Sequence, residues 1–242
     1  MSLVTRTVDY HHGATALKGH CVWDDTAAGP RPGVLVSHAW IGRDEFACGK
    51  ARALAELGYV GFALDLYGDA RLGSGPEENA RLMQPFLDDR GLLLARMNAA
   101  LAALRAQPEV DPARVAAIGY CFGGLCVLDL ARSGADLRGV VSFHGLLAPP
   151  PNATALATTT IRAKVLVLHG YDDPMAPPEH LLALAGELGA GAADWQIHAY
   201  GGTVHAFTNP RANDPGFGTV YKESAARRSW QAMGNFLTEV LN

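Results

Sequence analysis

The stretch Gly119-Tyr120-Cys121-Phe122-Gly123-Gly124 constrains this chain more than any other. It lies between segments of different period. Arg114-Val115-Ala116-Ala117-Ile118 before it reads as a short buried strand, and Leu125 to Arg132 after it reads as a helix. A strand that turns directly into a helix at one residue tolerates only small neighbours on either side of the bend. Gly119 and Gly123 supply them. Gly-x-Cys-x-Gly in this setting has the form of a nucleophile elbow. The bend lifts the sulfur of Cys121 out of the sheet and aims the next backbone N–H, that of Phe122, at the same point in space.

The rest of the chain supplies the frame such an elbow needs. Val4–Tyr10 and Ala16–Trp23 are β-like and joined at His12-Gly13, which predicts an opening hairpin. Strands are expected at Gly33–His38, Tyr59–Leu64, Val115–Ile118, Gly139–Phe143, Val165–Leu168 and Trp195–Tyr200, with apolar interiors. Helices are expected at Glu45–Leu57, closed by Gly58, across Pro76–Gln107 with a break near Pro85, after the elbow, at Pro178–Leu188 and at Lys222–Leu241. Ala148–Thr160, rich in Pro, Ala and Thr, reads as a loop. The alternation predicts an α/β fold over 1–242 as one domain: a mostly parallel sheet with helices on both faces.

Composition narrows the function classes. The chain has 242 residues, 49% of them hydrophobic, which suffices for one sizeable core. Its net charge is -4 and no basic stripe appears, which argues against nucleic acid. No apolar run reaches membrane-spanning length, and Met1–Tyr10 lacks the apolar stretch of a secretory signal. Cys21, Cys48, Cys121 and Cys126 show neither metal-type pairing nor a disulfide framework, so a cytoplasmic location is expected, with no metal and no other cofactor.

In such a sheet the partners of the nucleophile follow in the order acid, then histidine, each just past a strand. Strand Lys164–Gly170 ends in Tyr171-Asp172-Asp173-Pro174, and strand Trp195–Tyr200 ends in Gly201-Gly202-Thr203-Val204-His205-Ala206-Phe207. This predicts a Cys121–His205–Asp172 triad. Asp173 is the rival acid, with capping of the turn at Pro174 as its other reading. His169 and His198 fall out of register, while His38 and His144 end strands. The Phe122 N–H and the Trp40 N–H are the expected oxyanion donors. His38, Ile41, Tyr67, Phe86, His144 and Phe207 are the expected pocket.

A thiol with a reference pKa of about 8.5 is mostly protonated at neutral pH. The N-terminus of the following helix and a pairing with His205 both favour its thiolate. The thiolate also restricts the substrate. It leaves a tetrahedral intermediate more readily than an alkoxide does, so attack on a simple alkyl ester mostly reverts. Esters with enolate or phenolate leaving groups go forward, as do thioesters and activated phosphoesters.

With these residues the sequence resembles the dienelactone hydrolase family of the α/β-hydrolase superfamily. The motifs that carry the resemblance are the Gly119–Gly124 elbow, His169-Gly170-x-Asp172-Asp173-Pro174 and Gly201-Gly202-x-x-His205-x-Phe207. The His38-x-x-x-Gly42 loop and Leu64-Asp65-Leu66-Tyr67-Gly68 add to it. The resemblance implies a Cys-His-Asp triad that hydrolyses an enol lactone or other activated ester without a cofactor, in a monomer or homodimer. Two family positions depart. The activating glutamate of the family falls at Ala39, with Glu45 nearby, and the arginine that holds a substrate carboxylate falls at Asn209, with Arg211, Arg81 or Arg71 as possible substitutes. An uncharged ester or lactone is therefore the expected small-molecule partner. The alternatives are hydrolysis of phosphotriesters by the same three residues, and a weakly catalytic binding or redox-sensing protein.

Overall fold

The computed structural model describes residues 1–149 and 161–242, so most of the expected Ala148–Thr160 loop lies outside the described residues. The strands are β1 (Leu3–His12), β2 (Thr15–Asp24), β3 (Arg31–Ser37), β4 (Val60–Ala63), β5 (Val110–Tyr120), β6 (Gly139–Phe143), β7 (Lys164–Gly170), β8 (Trp195–Tyr200), β9 (Asn213–Asp214) and β10 (Thr219–Val220). The helices are α1 (Glu45–Glu56), α2 (Pro76–Asp88), α3 (Arg90–Arg105), α4 (Phe122–Arg132), α5 (Pro178–Ala190) and α6 (Glu223–Leu241). Eight strands form one sheet in the order β1-β2-β4-β3-β5-β6-β7-β8, while β9 and β10 pair separately. The chain divides into two compact units, Met1–Ala117 and Ile118–Asn242.

In the first unit β1 and β2 form the antiparallel hairpin, in register from Leu3↔Asp24 to His12↔Thr15, with Gly13 taking the left-handed turn. β4 pairs antiparallel with β2 and parallel with β3. A Cβ at Gly61 would fall on the Ala51 backbone, so glycine lets α1 lie directly against β4. The expected break near Pro85 is corrected. Pro85 sits inside α2, and the break comes at Asp89. Asp89 leaves helical geometry (φ -122°, ψ 91°) and its carboxylate accepts the Leu92 N–H at 2.9 Å, capping α3.

In the second unit β6, β7 and β8 run parallel, from Gly139↔Lys164 and Val165↔Trp195. Continuous burial of β6 and of β7 after Lys164 follows from their apolar runs. β8 departs from expectation: most of its residues are exposed. Among the described residues no helix is long and apolar enough to cross a membrane.

Candidate active site

Cys121 alone makes the bend between β5 and α4, at φ 56° and ψ -118°. Residues with a side chain rarely hold this conformation. The surroundings impose it. The Cys121 N–H donates to the Phe143 carbonyl at 3.0 Å, and the Gly124 N–H donates to the Cys121 carbonyl at 2.9 Å. A Cβ at Gly119 would fall on the Gly123 carbonyl oxygen, and one at Gly124 would stand 2.6 Å from Ser142 Oγ. The glycine pattern is thus a close approach of two backbones, as the elbow requires. Cys121 is half-buried at the N-terminal end of α4, whose residues are all buried.

His205 follows β8 and is held from both sides. Its N–H donates to the Gly218 carbonyl at 3.0 Å, and its carbonyl accepts the Val220 N–H at 3.2 Å. Lys222 Nζ donates to the carbonyls of Gly201 (3.1 Å) and Gly202 (2.6 Å) in the same loop. The β9–β10 turn that carries Gly218 was not expected from the sequence. Strands of two residues have no periodicity to read, and Pro215-Gly216 and Gly218 are the only hint.

The side chain of His205 is buried, and its Nδ1 lies 2.7 Å from Asp173 Oδ2. Asp172, the expected partner of His205, does not hold this position; the carboxylate that meets the ring is Asp173. Asp172 is exposed, and its carboxylate accepts the Thr203 N–H at 3.2 Å. The reason lies in the loop. The Tyr171 N–H donates to the Tyr200 carbonyl and the Asp172 N–H to the Thr203 carbonyl, so the chain stays beside β8 for two residues past β7 and turns inward only at Asp173. Asp173 also caps the turn, accepting the Met175 N–H on Oδ1 at 2.8 Å. One carboxylate has two oxygens, and it does both jobs.

Burial disfavours a charged His205 ring, but the negative charges of Cys121 and Asp173 and their hydrogen bonds outweigh it, pushing the imidazole up to about 10. Nε2, the nitrogen turned away from Asp173, is buried without a partner of ordinary hydrogen-bond geometry.

His144 and Phe207, expected in the pocket, are both buried in this unit. The His144 ring meets His205 edge-on at 5.1 Å and Phe207 edge-on at 5.2 Å, and its Nε2 lies 2.7 Å from Thr208 Oγ1. Thr208 carried no sequence signal. His169 is buried, its Nε2 donating to the Ala176 carbonyl at 2.8 Å, and burial lowers its pKa. Asn209 Oδ1 accepts the Arg211 N–H at 3.0 Å, and Arg211 is exposed.

The remaining expected residues lie in the first unit. His38 is buried and neutral, burial lowering its pKa. Its Nδ1 donates to the Ala39 carbonyl (2.7 Å) and its Nε2 accepts the Leu66 N–H (3.3 Å), so the backbone occupies both nitrogens. Tyr67 stands edge-on to His38 at 4.9 Å and 5.8 Å from Phe86, and its hydroxyl donates to the Trp40 carbonyl at 2.9 Å. Trp40 and Ile41 are half-buried. Asp65 organises this loop, accepting the N–H groups of Lys18, Tyr67, Gly68 and Ala70. Arg71 and Arg81 both face Glu78, at 3.0 and 3.5 Å, and Glu45 is exposed in the first turn of α1. Among the described residues no group of three or more His, Cys, Asp or Glu could hold a metal ion.

Gly218 connects the two halves of the His205–Asp173 contact. It sits at φ +75°, and a Cβ there would fall on the ring of Pro174, next to Asp173. Gly218→Ala is expected to cost about 2 kcal/mol, from left-handed strain and overpacking. It is also expected to lower kcat by about tenfold, because it displaces the carbonyl that holds His205. Thermal melting and aryl-ester kinetics on the same sample check both effects.

Comparisons with known proteins bear on the fold and the family. A crystallised dienelactone hydrolase-like promiscuous phosphotriesterase, P91 from metagenomic libraries, is 41% identical and superposes with a TM-score of 0.94, each chain covered in full. An uncharacterized Caenorhabditis elegans protein, K02A2.1, is 37% identical over 63% of this chain and 96% of its own length. A Yersinia pestis protein provisionally named carboxymethylenebutenolidase is 28% identical over 89% of this chain and 80% of its own. The fold is α/β-hydrolase-like, with a mostly parallel eight-stranded sheet and flanking helices. The sequence profile of the dienelactone hydrolase family matches residues 18–241, and the chain belongs to that family.

Proposed function

We propose that the protein hydrolyses activated carboxylic esters or lactones through a thioester on Cys121, with His205 as acid and base and Asp173 as its orienting carboxylate. The observation that carries this reading is the buried His205–Asp173 contact of 2.7 Å beside Cys121.

The site rests as a thiolate–imidazolium pair. The thiolate attacks the carbonyl, and the Phe122 N–H receives the developing oxyanion. The intermediate collapses, the acyl–oxygen bond breaks, and imidazolium Nε2 gives its proton to the leaving oxygen. The thioester carries no charge, so the influence of Cys121 that raised the histidine is gone. Burial then favours the neutral ring. Neutral His205 takes a proton from water, hydroxide adds to the thioester, and the carboxylic acid leaves as the thiolate is restored. Acylation thus removes the charge that would keep the base protonated. A reducing, cytoplasmic setting keeps the sulfur available, and no disulfide joins the four cysteines.

A second electrophile is favoured by the 41% identical promiscuous phosphotriesterase. The same thiolate displaces an aryl oxide from phosphorus, and water activated by His205 cleaves the phosphorus–sulfur bond.

Alkylation with iodoacetamide tests the covalent route. Loss of aryl-acetate turnover is expected to track modification of the Cys121 peptide, measured by mass spectrometry. Turnover that persists once Cys121 is fully alkylated overturns the proposal.

A further inference from the structure

We propose that the chain forms a two-fold homodimer by antiparallel pairing of β8 with β8 of a second copy. Among the described residues β8 ends the strand order, with β7 as its one neighbour in the sheet. It exposes Trp195, Gln196, His198 and Ala199, whereas β6 and the interior of β7 are buried. Two bonds fix which of its residues face β7. The Val165 N–H donates to the Asp194 carbonyl at 2.9 Å, and the Tyr171 N–H donates to the Tyr200 carbonyl at 3.0 Å. Residues of a parallel strand alternate in their bonding direction. Asp194, Gln196, His198 and Tyr200 therefore bond inward to β7. Trp195, Ile197 and Ala199 point their N–H and C=O groups outward.

Edges of this kind are normally blunted by lysine, proline, a bulge or an inward charge. Trp195-Gln196-Ile197-His198-Ala199-Tyr200 contains neither lysine, proline nor a carboxylate, and its register with β7 is unbroken. An edge left open in this way suits a strand partner.

The ends of the strand select a second copy and its register. The Gly201 carbonyl is taken by Lys222 Nζ and Thr203 Oγ1, and the Ala193 N–H is taken by the Leu188 carbonyl. That leaves Trp195, Ile197 and Ala199. A second β8 centred on Ile197 pairs all of them: Ile197 with Ile197, and Trp195 with Ala199 in both directions. Each pair exchanges both backbone bonds. A slip to either side leaves one of the residues unpaired.

Charge supports the same register. It sets Asp194 opposite the second copy's Tyr200, and the positive charge of Arg228 acts on Tyr200. Asp194 and Arg228 are both exposed; Asp194 holds Lys164 Nζ at 3.1 Å within its own chain, and Lys164 is shared with Glu239 at 2.7 Å. The axis therefore brings each Asp194 toward the other copy's Arg228, twice by symmetry. No like charges meet along the strand.

Analytical ultracentrifugation of the wild-type chain across a concentration series is expected to show the mass of two chains at high micromolar concentration. Ile197→Pro removes an outward N–H and spares the bonds to β7. Ile197→Lys places a charge at the axis and guards against a folding failure of the proline variant. Each is expected to weaken the dimer at least ~100-fold with unchanged far-UV circular dichroism. Asp194→Arg is expected to weaken it about tenfold, and adding Arg228→Asp to restore it. A wild-type chain that stays monomeric, or a dimer indifferent to both Ile197 variants, overturns the proposal. A charge swap that fails to restore association overturns the Ile197-centred register.

Discussion

Asp173→Asn is expected to lower kcat for an aryl acetate by about 10³–10⁴-fold, while Asp172→Asn stays within about threefold of wild type. The size of the first effect comes from the two bonds that Asp173 makes. Oδ1 accepts the Met175 N–H at 2.8 Å and Oδ2 meets His205 Nδ1 at 2.7 Å. An asparagine amide has one oxygen. If that oxygen keeps the Met175 N–H, the NH₂ group faces Nδ1, and a ring receiving that hydrogen bond carries its proton on Nε2 instead. Nε2 is the atom that must act on Cys121 and then on water, so the tautomer is the wrong one. The carboxylate charge that helps hold the imidazolium is lost as well. KM is expected to change little, because Asp173 is buried behind the histidine. Asp172 has no such role. It is exposed, and an amide oxygen can still accept the Thr203 N–H. A large loss in Asp172→Asn, or a mild one in Asp173→Asn with the fold intact by thermal melting, would reverse the assignment.

This pair of residues shows where the sequence stops being sufficient. The elbow, the strand before it and the helix after it were legible because their cause is local. Gly119 and Gly124 are glycines since backbone or Ser142 Oγ occupies the space of a Cβ. His205 was legible because one histidine stands in the loop after β8. The parallel arrangement of β6, β7 and β8 followed from apolar runs alternating with helices. The choice between Asp172 and Asp173 depends instead on a tertiary ladder. The first two loop residues continue to bond along β8 and its following loop, and no spacing rule announces that. Capping and histidine binding also looked like competing roles for Asp173, although one carboxylate can fill both.

The helix break has a similar cause. Pro85 is a breaker by reputation, yet the break fell at Asp89, whose side chain caps α3. The exposure of β8 was hidden for a different reason. Trp195, Ile197 and Tyr200 read as a buried strand when composition alone is weighed, and only the strand order shows that β8 has, among the described residues, a neighbour on one side. Of the residues expected in the pocket, His38 is locked by backbone on both nitrogens, while His144 packs directly on His205. The sequence places both at strand ends and does not separate them.

Cys121→Ala is expected to abolish esterase and phosphotriesterase turnover together, by about 10⁵-fold or more, since members of a triad act as a unit. It also isolates the electrostatics. Burial alone disfavours a charged His205. What raises the ring to about 10 is first the Cys121 charge, then the Asp173 bond and the Cys121 hydrogen bond, then the Asp173 charge. Removing the sulfur deletes both Cys121 influences and leaves Asp173 against burial. The His205 midpoint is therefore expected to fall well below the wild-type value of about 10, read by NMR titration of the histidine ring nitrogens under reducing conditions. In wild type the ring should stay protonated through neutral pH. In Cys121→Ala the neutral ring should gain at the expense of the charged one as pH rises through the neutral range. The two readouts separate two failures. Activity that survives the substitution means another group is the nucleophile. A His205 midpoint that does not move means the sulfur and the imidazole are not a pair at rest, and the thiol would then have to be deprotonated only as it attacks.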